Sequence, residues 1–276
     1  MKTLEIAGRT IPQLGQGTWN IGDSASTRAA EIASLRRGVE LGLTLIDTAE
    51  MYGSGRSESL VGEAIAFIRD RVQLVSKVLP SNASKEGTIR ACEDTLKRLR
   101  VETLDLYLLH WRGRYPLRET VEAFSHLLDQ GKIRAWGVSN FDVDDMEELF
   151  ATPGGSACAA NQVLYNPEHR GIEFDLLPWC RQRNVTVMAY SPLGQAGSLL
   201  KSAALRGVAQ KHAVSPAQAA LAWCLRQPVL AIPKAGSIAH IEENAAAEGL
   251  ELDAEDLAAI DSAFPAPKRK QPLGML

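Results

Sequence analysis

The sequence predicts an α/β protein folded as a (β/α)8 TIM barrel, and two observations carry that prediction. Eight short apolar runs alternate with longer amphipathic ones, and the runs are nearly continuous, as in Leu104, Leu106, Leu108 and Leu109. Such runs suit strands buried on both faces of a parallel sheet. Eight units of this kind in roughly 250 residues fit a closed barrel better than an open sheet. An open doubly wound sheet is the runner-up, but it would carry G-x-G-x-x-G after its first strand. Gly15-Gln16-Gly17 is too short a match, and Gly53-Ser54-Gly55 follows no strand directly. Residues 1–276 therefore read as a single domain.

Residues 4–11 read as a small N-terminal β-hairpin turned at Ala7-Gly8-Arg9, and Leu14–Gly17 as the first barrel strand. Helical spacing over 27–41 runs through Ala30, Ala33, Val39 and Leu41 and stops at Gly42. Strand then alternates with helix. Leu43–Asp47 precedes a helix over 57–67 with Ser57 as its cap, Val72–Lys77 precedes 84–99, and Leu104–His110 precedes 117–130, closed by Gly131. Ile133–Val138 precedes 142–150, Ala159–Leu164 precedes 175–183, and Val185–Ala189 precedes two helices, 203–212 and 216–226. Pro216 stands in the favoured first turn of the second. Val229–Ile232 is the last strand, and extra helices near 238–247 and 253–262 end the pattern.

Composition narrows the function classes. A chain with 45% hydrophobic residues, 23% charged residues and a net charge of −3 gives no reason to expect nucleic acid or a membrane as partner. The basic run Lys268-Arg269-Lys270 reads as a solvated tail. Cys92, Cys158, Cys180 and Cys224 form no C-x-x-C pair, so they suggest reduced thiols rather than a disulfide framework or a zinc site. Without a signal-like start or a long apolar stretch, the chain is expected to be cytoplasmic.

The chemistry gathers at strand ends, where barrels of this class place their active sites. The second strand ends in Asp47, the third in Lys77, the fourth in His110 and the fifth in Ser139-Asn140. The sixth contains Gln162, the seventh runs into Tyr190-Ser191 and the eighth into Lys234. Taken singly, any one is compatible with a satisfied core polar group; seven in a row are poorly explained by packing. A metal hydrolase needs converging His and carboxylate ligands, yet only His110 of five histidines lies at a strand end, so no metal is expected. No G-x-S-x-G supports a serine nucleophile. Lys77 could form a Schiff base, as in an aldolase, but only if desolvated and neutral, and Asp47 would hold it charged. A charged Lys77 suits a different partner. Tyr52 lies in the loop five residues after Asp47. A phenol titrates near pH 10, too high for an efficient acid, and a neighbouring ammonium lowers that value. With His110 orienting a carbonyl oxygen, the four groups would protonate an oxygen that gains charge, which is what carbonyl reduction by hydride transfer requires.

These residues resemble the aldo-keto reductases. The resemblance rests on Asp47-Thr48-Ala49-Glu50-Met51-Tyr52, Lys77, Leu108-Leu109-His110-Trp111, Gly137-Val138-Ser139-Asn140-Phe141, Asn161-Gln162, Ala189-Tyr190-Ser191-Pro192-Leu193 and Ile232-Pro233-Lys234. It covers nearly the whole chain, and the short loops are similar to those of compact bacterial members of methylglyoxal or aldehyde reductase type. The resemblance implies Tyr52 as general acid, Lys77 and Asp47 as its tuners, and His110 as the carbonyl orienter. It implies NADPH as cofactor, with NADH weaker. Ser139, Asn140 and Gln162 would bind the carboxamide, and Tyr190 would lie under the nicotinamide. Ser191, Pro192 and Leu193, with Gly194, Gln195 and Ser198, would wrap the pyrophosphate. Lys234 would hold the 2′-phosphate, and Glu243 and Asn244 the adenine; Gly17, Thr18, Trp19, Asp47, Ile232, Ser237 and His240 complete the implied cofactor site. Trp19, Trp111 and Met51, with Tyr52 and His110, would line the substrate pocket, and aromatic walls suit small apolar or aromatic aldehydes. A tail of only twelve residues after the last helix implies an open pocket, and a monomer is expected. The alternative reading on the same fold is an NADPH-binding, redox-sensing partner of other proteins.

One departure is informative. The family often has Arg where this chain has His240, six residues after Lys234. A guanidinium keeps its charge at all working pH values, whereas imidazoles as a class gain charge between about pH 8 and 6. The NADPH-to-NADH ratio of kcat/KM is therefore expected to rise as pH falls toward 6; steady-state kinetics with both cofactors would show a flat ratio if His240 takes no part.

Overall fold

A computed structural model describes residues 2–276. Its first element is an antiparallel hairpin, β1 (Thr3–Ile6) and β2 (Arg9–Pro12). Eight parallel strands follow: β3 (Gln16–Gly17), β4 (Leu45–Asp47), β5 (Gln73–Val78), β6 (Leu106–Leu109), β7 (Trp136–Ser139), β8 (Ala160–Leu164), β9 (Thr186–Tyr190) and β10 (Val229–Ala231). They lie in sequence order, and parallel bridges Leu14–Ala231 and Gly17–Lys234 join the two ends of the sheet. The expected barrel is thus closed. At the seam β3 runs so near the segment after β10 that a Cβ on Gly17 would stand 2.7 Å from the Ile232 carbonyl oxygen.

Between strands run α1 (Arg28–Glu40), α2 (Arg56–Ile65), α3 (Lys85–Leu99), α4 (Leu117–Asp129), α5 (Val143–Ala151), α6 (Leu176–Gln182), α7 (Ala203–His212), α8 (Pro216–Cys224), α9 (Ile238–Ala246) and α10 (Ala254–Ala263). Several start where the sequence supplies a side-chain acceptor: Ser84, Asp142, Asp175, Ser202, Ser215, Ser237 and Asp253 each cap a helix. Ser57 does not. Helix α2 begins one residue earlier, after Gly55 in the left-handed region, and the fully buried Ser57 hydroxyl donates instead to Thr18.

Strand periodicity divides the interior in two. Leu45, Val75, Leu106, Leu108, Ala160, Met188, Leu230 and Ile232 fill the barrel, and Ile6 and Ile11 of the hairpin join them from below. The intervening residues, such as Ile46, Leu74, Tyr107, Leu109, Val138 and Val163, face the helices and form the larger core. Beneath the barrel the Asp105 carboxylate ties the parts together, accepting from Arg9 at 2.8 Å, Arg69 at 2.9 Å and the Leu74 amide at 2.9 Å. All four cysteines are free and buried. No helix among the described residues is long and apolar enough to cross a membrane.

The close seam is testable. Overpacking typically costs about 1–3 kcal/mol, so Gly17→Ala is expected to lower the urea midpoint by a matching amount; an unchanged midpoint would mean the seam opens freely.

Candidate active site

Each strand-end polar residue stands two positions beyond an inward-facing apolar residue or glycine. Asp47 follows Leu45, Lys77 follows Val75, His110 follows Leu108, Ser139 follows Gly137, Gln162 follows Ala160 and Tyr190 follows Met188. Because side chains alternate along a strand, the rows that fill the barrel deliver these groups to its upper rim. The four residues expected to act together do meet. Lys77 Nζ donates to Asp47 Oδ2 at 2.6 Å, to the Thr48 carbonyl at 2.9 Å and to Tyr52 Oη at 3.1 Å. Asp47 Oδ1 accepts from the Gln162 amide at 2.7 Å. The Tyr52 and His110 rings meet edge-on with centroids 5.9 Å apart.

Electrostatics assign their states. Burial pushes the Asp47 carboxyl up, with Lys77 and Gln162 working against it. Both its oxygens accept hydrogen bonds from donors that bring their own protons, the arrangement of a carboxylate. Burial pulls Lys77 down, but Asp47 and Tyr52 outweigh it and hold the ammonium above its ordinary value. All three Lys77 protons have acceptors, so no free amine is presented for a Schiff base. The Tyr52 result differs from the expectation. Lys77 does pull the phenol down, but burial is the larger effect and leaves it above its ordinary value. Its oxygen accepts from Lys77, and its own O–H remains to donate. For His110, burial first and the Lys77 charge second press the pKa down to about 3. Its Nδ1 is buried without a partner, which leaves Nε2 as the nitrogen that can meet a ligand.

Several of the expected cofactor residues are linked by hydrogen bonds along the rim. Ser139 Oγ donates to the Gln162 carbonyl at 2.8 Å, Asn140 Nδ2 to the His110 carbonyl at 3.2 Å, and Tyr190 Oη to Asn140 Oδ1 at 2.9 Å. Thr18 Oγ1 donates to the Asp47 carbonyl at 2.9 Å. Asn161 turns away, its amide bonded to the Phe141 carbonyl outside the barrel. Ser191 stands at φ +47°, with its carbonyl held by Asn166. After buried Pro192 and half-buried Leu193, the loop through Gly194 and Gln195 is fixed by Ser198 donating to Glu168. Beyond Ile232, Lys234 is exposed and has no carboxylate partner among the described residues. Ser237 caps α9, whose first turns present exposed His240, half-buried Glu243 and buried Asn244, the last with Nδ2 unpaired. Trp19 and Met51 are exposed at the rim and Trp111 packs on His110.

The basic run Lys268-Arg269-Lys270 is exposed, as expected of a solvated tail, but the tail also lies against the barrel. Lys270 approaches Asp142 and Asp144 at 3.5 Å and Asp175 at 3.7 Å, Leu273 packs on the core, and the Leu276 backbone lies beside the Tyr190 hydroxyl. Sequence reasoning also missed Glu50, which holds the next loop through the Leu79 amide at 2.6 Å and Asn82 at 3.0 Å. It missed Glu58 as well, although Glu58, Val61, Gly62 and Ile65 share one buried helical face that an i, i+3, i+4, i+7 count reveals.

The model of the aldo/keto reductase family matches residues 13–264. The chain belongs to the aldo/keto reductase family. This aldo/keto reductase is 54% identical to the methylglyoxal reductase YeaE of Escherichia coli over 100% of its own chain and 99% of that protein. It is 34% identical to the glyoxal reductase of Bacillus subtilis over 92% of its chain and 90% of the relative. Its structure superposes with a TM-score of 0.98, at 50% identity, on an aldo/keto reductase from Klebsiella pneumoniae crystallised with NADP and acetate, covering 100% of this chain and 99% of that one.

The low pKa of His110 links it to stability. Unfolded histidine titrates near 6.5 and the folded side chain at about 3, so the unfolded state binds the extra proton between those values and stability falls as pH drops below 6.5. The loss attributable to His110 at pH 5 is about 2 kcal/mol. Denaturant titrations are expected to show that His110→Gln removes this part of the acid destabilisation; an unchanged slope would mean the folded imidazole accepts protons freely.

Proposed function

We propose that the chain reduces small aldehydes and ketones, 2-oxoaldehydes of the methylglyoxal type foremost, to alcohols with NADPH, and that Tyr52 is the proton donor. The observation that carries this reading is the Lys77–Tyr52 bond, which feeds the tyrosine oxygen from an ammonium fixed by Asp47 and leaves the tyrosine proton free. NADPH supplies the hydride when bound. The chain's residues do the rest. Tyr52 donates its proton to the carbonyl oxygen as charge gathers there, and the Lys77 ammonium steadies the phenolate left behind. Neutral His110 donates from Nε2 to the same oxygen and sets its direction. Trp19 and Trp111 flank the carbonyl carbon's substituents and keep water away.

The donor set suits the cofactor. Ser139, Asn140 and Gln162 bring hydroxyl and amide groups to one side of the rim, and Tyr190 brings a half-buried ring beside them. Lys234 and His240 stand with the capped N-terminus of α9, a pairing of cation and helix dipole that suits the 2′-phosphate. Residues 1–276 act as one domain in this reading. We place the protein in the cytoplasm as a monomer; four unpaired thiols suit a reducing compartment.

The activities of the relatives, methylglyoxal and glyoxal reduction, support the substrate class. The regulatory alternative predicts tight NADPH binding without turnover. An aldehyde panel followed by NADPH absorbance decides between them, and no turnover with any member would favour the regulatory reading. General acid catalysis is worth about 100- to 10,000-fold. Tyr52→Phe is therefore expected to lower kcat by at least that lower figure with NADPH affinity within a few fold; a fall below tenfold would place the proton donor elsewhere.

A further inference from the structure

Three residues outside the rim form a second polar unit, centred on a buried carboxylate, behind the turn that follows Tyr52. Glu58 of α2 is wholly buried. Its Oε1 accepts from Ser76 Oγ at 2.6 Å and its Oε2 from Arg98 Nε at 2.5 Å. Ser76 precedes Lys77 on β5 and points outward, so the Glu58 carboxylate grips the strand that carries the ammonium. Arg98 of α3 continues the unit, with Nη2 donating to Thr95. Its stem then lies under the turn that begins at Tyr52. A Cβ on Gly55 would stand 2.5 Å from Arg98 Cδ and 2.7 Å from Nε.

That turn needs support. Gly53, Ser54 and Gly55 follow Tyr52 with φ of +56°, +53° and +86°, three successive left-handed residues, of which Ser54 bears a Cβ. Left-handed backbone costs free energy for a residue with a side chain and persists only where its surroundings hold it. Above the turn, Arg56 pairs with Asp23 at 2.6 Å, an exposed contact of little strength. Below it stands the Arg98 stem, held by the buried Glu58 carboxylate. The unit therefore spans from Ser76, next to Lys77, to Gly55, three residues from Tyr52.

We propose that Glu58 and Arg98 are positioning residues for the reaction, a clamp that fixes the Tyr52 oxygen against the Lys77 ammonium. They touch neither substrate nor cofactor, and their role rests on the reading of Tyr52 as proton donor. The clamp acts on kcat, because proton transfer needs the 3.1 Å contact, and leaves cofactor binding alone. Its residues lie on α2, α3 and the outer face of β5, away from the Ser139–Gln162 and Lys234–Asn244 regions.

Removing one partner would leave a buried charge, so the test removes the pair. Glu58→Gln with Arg98→Met keeps an acceptor for Ser76 and the length of the arginine stem. Misplacement of a reacting group by about 1 Å costs up to about a hundredfold; a loosened but tethered turn is expected to lower kcat about tenfold, with the Kd of NADPH within about twofold. In a Tyr52→Phe background the same pair should lower the residual rate no further, since a clamp acting through Tyr52 has nothing left to position. A kcat within twofold of wild type, an equal fall in the Tyr52→Phe background, or a Kd that changes as much as kcat would each overturn the proposal. Should the double variant not fold, Ser76→Ala keeps the ion pair and frees only the strand: a fall of about threefold in kcat at unchanged Kd supports the clamp, and none overturns it. Full activity in Tyr52→Phe alone would instead overturn the donor reading, a result the clamp variants do not mimic.

Discussion

The ion pair between Lys77 and Asp47 is the constraint on which the site depends. Both side chains are buried, and taking an ammonium and a carboxylate out of water costs several kcal/mol each. The barrel offsets that cost only by surrounding the pair completely. Asp47 receives Gln162, and Lys77 reaches the Thr48 carbonyl and the Tyr52 oxygen. Thr48 and Tyr52 follow Asp47 on one segment, but Lys77 comes from β5 and Gln162 from β8, so the pair is fully surrounded only once the sheet has closed. Charge at the centre of the rim is thus bought with the whole barrel rather than with local structure. It also explains why the neutral groups nearby stay neutral: the same burial that strengthens the pair raises the phenol and depresses the imidazole.

Much of this was legible in the chain because strand parity is a strong rule. A polar residue two positions beyond an inward-facing apolar residue or glycine is carried to the barrel mouth, and Asp47, Lys77, His110, Ser139, Gln162 and Tyr190 all obey it. The barrel class was legible for a related reason, since only strands buried on both faces lack polar alternation. What escaped was interaction between segments far apart in sequence. Ser57 looked like a cap, yet its hydroxyl belongs to Thr18 of a neighbouring strand end. Lys270 is exposed as expected, but the three aspartates that face it near the starts of α5 and α6 were not foreseen. The direction of the Tyr52 shift escaped as well, because a neighbouring charge can be guessed from spacing whereas the depth of burial cannot.

Two layers of polar structure therefore lie one behind the other. The inner layer faces the barrel mouth and gathers the strand-end polar groups around Lys77 and Asp47. The outer layer, between β5 and the helices, carries charge of its own in Glu58 and Arg98 without facing any ligand. Helices in this architecture are commonly regarded as packing for the sheet. Here α2 and α3 also pack against the turn that follows Tyr52, through a glycine whose missing side chain makes room for an arginine stem.

The four cysteines have a consequence of a different kind. Burial pushes the thiols of Cys92, Cys158 and Cys180 up to about 12, and that of Cys224 in the same direction. Aldehydes and dicarbonyls add to thiolates, and a thiol so far from ionisation and so far from solvent offers them none. Adduct formation on its own sulfur therefore requires local opening of the fold, and in the folded protein such reagents meet side chains other than cysteine first.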